Sequence, residues 1–279
     1  MIEPFAGSAA ISIATMAHNL AKKIIINDLN KPLSELLQMI VEHPIEIASF
    51  YESLWSEQHS HVINNDSTNH YYEVRAEFNK SKNPQLFLYL LARCIKGSVR
   101  YNADGQFNQS PDKRRFGTRP EKMRNNIFGV SNLLKGKASF YSLDYREIIS
   151  KAKENDLIYM DPPYQGVCGE RDSRYFSGIS HLDFVNELQE LNAKNISYIV
   201  SYDGRRGDKV FGELLPNYLQ LSHVELDAGR SSQSTLLGID EITYESLYIS
   251  EALKDRLSQK PHNHKRAQSQ QSFLIESIV

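Results

Sequence analysis

The sequence predicts a doubly wound α/β fold with a final antiparallel strand pair, interrupted by a long insert. Three observations predict it. Short apolar runs alternate with helically spaced segments at both ends of the chain. A small-residue turn joins the first strand to the first helix, and a polar, Asn-rich stretch breaks the rhythm in the middle.

Residues 2–8 (Ile2, Glu3, Pro4, Phe5, Ala6, Gly7, Ser8) read as a strand end and a turn, and 9–22 as a helix that Ser8 can cap. Residues 23–26 form a buried-type strand, closed by Asn27-Asp28-Leu29-Asn30. Leu33, Leu36, Leu37, Ile40 and Val41 give 32–51 helical spacing. Between 52 and 137 one helix stands out, near 84–99, followed by a turn-rich run over 101–108 that fits a hairpin. Strands resume at 138–141 and 156–160. A helix at 182–193 leads to a strand at 196–201, and strands at 219–226 and 244–249 close the sheet. This divides the chain into an α/β domain (1–45 plus 138–250), an insert (46–137) and a polar tail (251–279) expected to be disordered. There is no internal repeat.

Composition narrows the class. A chain of 279 residues can bury a real core. No apolar stretch reaches the roughly 20 residues that a membrane helix needs, and no signal-peptide pattern opens the sequence. Cys94 and Cys168 lie far apart, which points to a reducing cytoplasm and to neither zinc nor a disulfide framework. The histidine pairs His59/His61 and His262/His264 read as solvated loop residues. Net charge is −2, yet residues 93–137 hold eleven Lys/Arg against Asp104, Asp112 and Glu121. Such a block is either a phosphate-binding face or a solvated flexible loop.

Two segments carry chemistry. Phe5-Ala6-Gly7-Ser8-Ala9 lets a ligand approach backbone at a helix start, and Asp28 follows Gly7 by 21 residues, where α/β folds place a ribose-binding carboxylate. Many α/β turns look alike, so this remains either a nucleoside site or an ordinary turn. Asp161-Pro162-Pro163-Tyr164 follows an apolar strand, at the sheet edge where ligands bind. An exocyclic aryl amine is a poor nucleophile because its lone pair is shared with the ring. Asp161 and the Pro162 carbonyl could hold both N–H bonds and turn that lone pair toward a methyl donor, while Tyr164 stacks on the base. The alternative is a Pro-Pro turn with Asp161 as a cap.

Glu3 to Ser8, then Asp28-Leu29-Asn30, then Asp161 to Tyr164 resemble, in this order, the motifs of the Dam-like (group alpha) DNA N6-adenine methyltransferases. The resemblance runs from residue 1 to about 250. It implies a Rossmann-like methyltransferase sheet, S-adenosylmethionine as donor, double-stranded DNA as partner and an adenine flipped out of the duplex, with neither metal nor membrane. It makes 1–45 plus 138–250 the catalytic part. Glu3, Pro4, Phe5, Ala6, Gly7 and Ser8 would line the donor's methionine portion, Asp28 would bind its ribose and Asp144-Tyr145 contact its adenine, with Asn30 also in the donor-binding set. Arg100, Asn102, Gln106 and Asn108 resemble the family's target-recognition hairpin, with Lys113, Arg114, Arg115 and Arg119 completing the DNA-binding set. A restriction–modification or related system, with a cognate restriction endonuclease as candidate partner, is also implied.

The chain departs from the family pattern at Ala9, where Gly is usual. The family's Lys/Gly-rich segment before the first motif has no counterpart ahead of Met1, nor in residues 260–266. The expectation is a fragment, or a segment supplied by another polypeptide. Rival readings are a cytosine-N4 or RNA amine methyltransferase, a non-catalytic DNA-binding remnant and, more distantly, a hydride-transfer enzyme. Lesser candidates are the strand end Ser201-Tyr202-Asp203-Gly204, Gly229-Arg230-Ser231-Ser232 between the last strands, and Arg171, Asp172 and Arg174 in a loop over DNA.

Overall fold

The computed structural model describes residues 1–63, 67–163, 179–206, 209–210, 213–230 and 242–259. Tyr164, Cys168, Arg171, Asp172, Arg174, Ser231, Ser232 and all of 260–279 lie outside them. The strands are β1 (Ile2–Glu3), β2 (Ile24–Asn27), β3 (Ala138–Tyr141), β4 (Leu157–Met160), β5 (Ser197–Arg206), β6 (Lys209–Val210), β7 (Ser222–Arg230) and β8 (Ile242–Ile249). They form one sheet in the order β3-β2-β1-β4-β5-β8-β7, with β6 paired to β5. The first five in that path run parallel, and β8 pairs antiparallel with both β5 and β7. The predicted mixed sheet with its antiparallel final pair is therefore present.

Alternation along the strands separates two cores. Ile24 and Ile26 face helices α1 (Ala10–Ala17), α2 (Lys31–Glu42) and α6 (Pro120–Leu134). Ile2, Ile158 and Met160 face α7 (Tyr145–Ile149) and α8 (His181–Ala193). Chain direction across the sheet reverses between β1 and β4, so the crevice at their carboxyl ends is a topological switch point.

Several elements differ from the sequence reading, each for a local reason. The first helix stops at Ala17 because Asn19 turns left-handed (φ 54°) and Leu20 N bonds Thr15 O at 2.9 Å. Its N-cap is Ala9 (φ 57°) without a side-chain cap, so Ser8 does not cap it. The helix expected over 32–51 is two, broken at His43 because Pro44 disfavours helical backbone before it and opens α3 (Pro44–Ile63). Leu219 lies in a 3₁₀ turn ahead of β7 rather than in the strand. Residues 201–204 do not end a strand: β5 runs on to Arg206. Gly229 and Arg230 belong to β7 itself. Residues Glu251–Gln259 form helix α9 instead of an irregular tail, tied to the turn ahead of β5 by Arg256 Nη2 on Asn195 O at 2.8 Å.

The described part of 46–137, the stretch expected to be an insert, is mostly helical, which its polar composition concealed. With α4 (Ser67–Ser81) and α5 (Pro84–Arg93), α3 and α6 enclose a third core around Tyr51, Tyr71, Phe78, Phe87 and Tyr89. Gln58 is its polar hub, accepting from Tyr89 Oη and Arg93 Nε, both at 2.7 Å, and donating to Phe116 O at 3.0 Å. His59 stacks on Trp55 at 3.7 Å within α3, so it is a packed helical residue and not a loop one.

Gly204 sits at a bulge between β5 and β8, where a Cβ would lie 1.9 Å from the Tyr244 carbonyl oxygen. Gly204→Ala is expected to lower stability by about 1–3 kcal/mol, read as an earlier midpoint in chemical denaturation.

Candidate active site

The carboxyl ends of β1, β2 and β4 open onto a cavity of about 490 Å³. Glu3, Pro4, Phe5, Ala6, Gly7, Ser8, Asp28, Asn30, Asp144, Tyr145, Asp161, Pro162 and Pro163 all line it. The described residues singled out for cofactor and catalysis thus converge on one hollow, though they come from four separate stretches of chain.

Asp28 is held by two backbone donors, Gly7 N to Oδ2 and Asn30 N to Oδ1, each at 2.8 Å. A carboxylate offers about four acceptor sites, so roughly two remain for a ligand's hydroxyls. Burial raises its pKa, opposed by those two N–H groups. Gly7 has φ 51°, a backbone conformation that glycine takes without steric cost, and this brings its N–H round to Asp28.

Asn27, which the sequence reading did not single out, ties the rim together. Its Nδ2 donates to Pro4 O and Leu143 O, and its Oδ1 accepts from Leu143 N, all at 2.9 Å. The available signal was a polar residue in a buried position at the end of Ile24-Ile25-Ile26. Phe5 packs on Tyr145 at 5.0 Å and on Phe184 at 6.5 Å, joining the β1 turn to α7 and α8. Asp144 caps α7 through Arg146 N (2.9 Å) and also takes Arg146 Nε and Nη2. Those bonds hold its pKa below the usual range.

Glu3 is the unusual group. It is 3% exposed and accepts from Ser12 N at 3.1 Å and from Ser12 Oγ. Burial pushes its pKa up to about 7, the Ser12 bonds oppose that, and the charges of Asp161 and Asp28 add to it. The unfolded chain loses this proton near 4.5 while the folded chain keeps it to about 7. Stability should therefore fall as pH rises through that window, by about 1.4 kcal/mol per unit, and level off above it. Glu3→Gln should flatten the profile and melt higher than wild type at pH 8, checked by thermal denaturation across pH.

The DNA-binding candidates lie elsewhere. Arg100, Gln106, Asn108, Lys113, Arg114, Arg115 and Arg119 are exposed and line no part of the cavity. Asn102 is half-buried, its Oδ1 accepting Asp104 N (3.0 Å) and Gln106 N (2.9 Å) to shape the turn. The hairpin closes through a Tyr101–Phe107 bridge and Asn108 N to Arg100 O at 3.0 Å. Side chains of α4 clamp it: Asn79 bonds both N and O of Phe107, and Tyr71 Oη donates to Gln109 O at 2.9 Å. Arg93, counted in the basic block, is buried against Gln58, Asp112 O and the Phe116 ring, so it belongs to the core.

Residues 1–225 match the family described as D12 class N6 adenine-specific DNA methyltransferase. The chain is 28% identical over 238 residues to the DNA N-6-adenine-methyltransferase of Escherichia phage P1, covering 80% of this chain and 28% of that protein. It is 28% identical over 168 residues to the DNA adenine methylase of Serratia marcescens, covering 59% of this chain and 57% of the relative. It is also 28% identical over 213 residues to the modification methylase StsI of Streptococcus sanguinis, covering 72% and 31%. The chain thus spans between about a quarter and somewhat over half of these relatives' lengths.

Proposed function

The chain belongs to the D12 class N6 adenine-specific DNA methyltransferases, and from that premise we propose that it methylates N6 of a flipped adenine in double-stranded DNA. The observation that carries this reading is the single cavity shared by Asp28, Asp161 and the turn from Glu3 to Ser8. S-adenosylmethionine fits the residues present. The cavity lies within the roughly 300–1,000 Å³ of small-molecule sites, and its carboxylates suit a cationic ligand. When bound, the donor supplies a methyl group on a positively charged sulfur.

The chain's own residues do the positioning. Asp28 holds ribose hydroxyls with its remaining acceptor sites, Asn30 supports it, and Asp144 with Tyr145 serves the donor's adenine. Asp161 and the Pro162 carbonyl accept the two N–H bonds of the target amine and aim its lone pair. Pro163 stiffens the turn, and Tyr164 is assigned to stack on the extruded base. The hairpin and the exposed cations around it, Arg100 at its base and Lys113, Arg114, Arg115 and Arg119 after it, are assigned to DNA. Arg115 is 86% exposed, 4.0 Å from Asp112, so such a cation keeps nearly all its charge for phosphate. If these five each meet a phosphate, log affinity should fall against log salt with a slope of about −4 to −5.

The test is direct. The chain is incubated with unmethylated duplex and S-adenosylmethionine, and the digested nucleosides are weighed by mass spectrometry. N6-methyladenine is the expected product. N4-methylcytosine, or methylation of RNA alone, would overturn the reading. The names of relatives that modify DNA also support a modification system, in which a cognate endonuclease would share the recognition sequence.

A further inference from the structure

Two side chains in the cavity wall come from the insert. Val99 and Tyr101 line the same hollow as Asp28 and Asn30, while Arg100 between them is exposed. The backbone enters this stretch extended, with Ser98 at φ −90° and ψ 139°, so alternate side chains point to opposite faces. One short segment therefore faces the donor cavity on one side and the basic outer surface on the other.

A hydrogen bond fixes the segment to the donor site. Tyr101 Oη donates to Asn30 Oδ1 at 3.2 Å, with Tyr101 6% and Asn30 4% exposed. Asn30 occupies the N-cap position of α2, where an Asn side chain ordinarily accepts from the helix's own N–H groups. Here it makes no such cap bond and is turned to a residue 71 positions away. The chain of contacts then runs on: Asn30 N to Asp28 Oδ1, Gly7 N to Asp28 Oδ2, and on the other side Tyr101 to Phe107 across the hairpin.

We propose that Tyr101 is a positioning residue that couples the donor site to the DNA-recognition hairpin, so that each ligand raises the affinity for the other. The proposal rests on the methyltransferase reading above. Asn30, fixed through Asp28 by a bound ribose, holds the Tyr101 hydroxyl and with it the base of the hairpin. By reciprocity, a hairpin held by DNA keeps Asn30 and the cavity wall in place for the donor. Loss of one buried hydrogen bond corresponds to about a tenfold change in that coupling.

Titration calorimetry of S-adenosylmethionine into the full chain, with and without sheared unmethylated genomic DNA, tests it. In wild type, DNA should tighten donor binding about tenfold. Tyr101→Phe, which keeps the ring against Phe107, should bring that ratio close to one. Asn30→Ala should do the same from the other side, and the double variant should lose no more than either single one. The ratio is the readout because a merely structural role would weaken both arms alike. An unchanged ratio in Tyr101→Phe, or a wild-type ratio of one, overturns the coupling while the methyltransferase reading stands. Absence of donor binding by wild type in both arms sinks that reading, and the coupling with it.

Discussion

Asp161→Ala is expected to lower methyl transfer to DNA by on the order of 10²–10⁴-fold while donor binding changes only a few-fold. The reason is where the charge sits. Asp161 lies at the end of β4 and lines the cavity with the Glu3-to-Ser8 turn, whereas Asp28, assigned to the ribose, lies at the end of β2. On the proposed mechanism, removing the first takes away an acceptor for the target amine, an interaction felt in the transition state. Removing its charge also relieves Glu3, whose pKa Asp161 helps to raise. The onset of the pH-dependent stability loss should stay near 4.5, while its upper end moves to lower pH. Single-turnover transfer rates and donor calorimetry on the same variant separate the two effects. A variant that methylates at the wild-type rate would remove Asp161 from the chemistry.

Phe107→Ala should cost about 3–5 kcal/mol of stability, the range for truncating a buried aromatic. Phe107 is 1% exposed and meets Phe78 at 5.9 Å, Phe87 at 5.5 Å and Tyr101 at 6.0 Å, each close to edge-on. Phe78 and Phe87 stack on one another at 4.7 Å, so one ring closes the end of a ready-made pair. The loss falls on the hairpin that Asn79 clamps through the same residue, and DNA binding should weaken more than donor binding. An unfolding free energy within about 1 kcal/mol of wild type would mean that the hairpin draws its rigidity from elsewhere.

The sheet was legible in the sequence because its central strands are short and almost wholly apolar, as in Ile24-Ile25-Ile26 and Leu157-Ile158-Tyr159-Met160. The insert was not. Its helix α4 buries Tyr71, Val74 and Phe78 at helical spacing, but neighbouring Asn64, Asn65, Asn69 and Asn79 read as loop. Asn79 proves to be spent on the hairpin backbone. Pro44 was a visible break that the continuous apolar spacing around it masked.

At the site, residue types and order were readable while the bonds joining them were not. Asp28 and Gly7 could be paired from their separation, and they do meet. Asn27 binding both the β1 turn and Leu143, 116 positions on, depends on strand order that no local pattern encodes. The same holds for Tyr101 reaching Asn30. Ala9 illustrates a compensation: its left-handed backbone favours glycine, yet its methyl is fully buried beside Ala6 and Met16. The strain and the burial are each of order 1 kcal/mol and oppose one another.

The most direct measurement is a crystal structure of the chain with S-adenosylhomocysteine, the demethylated form of the donor. The account predicts ribose hydroxyls within hydrogen-bond reach of the Asp28 carboxylate and a sulfur facing Asp161 across the shared cavity. A nucleoside bound elsewhere, or one lying in the cavity with its sulfur turned away from Asp161, would contradict it.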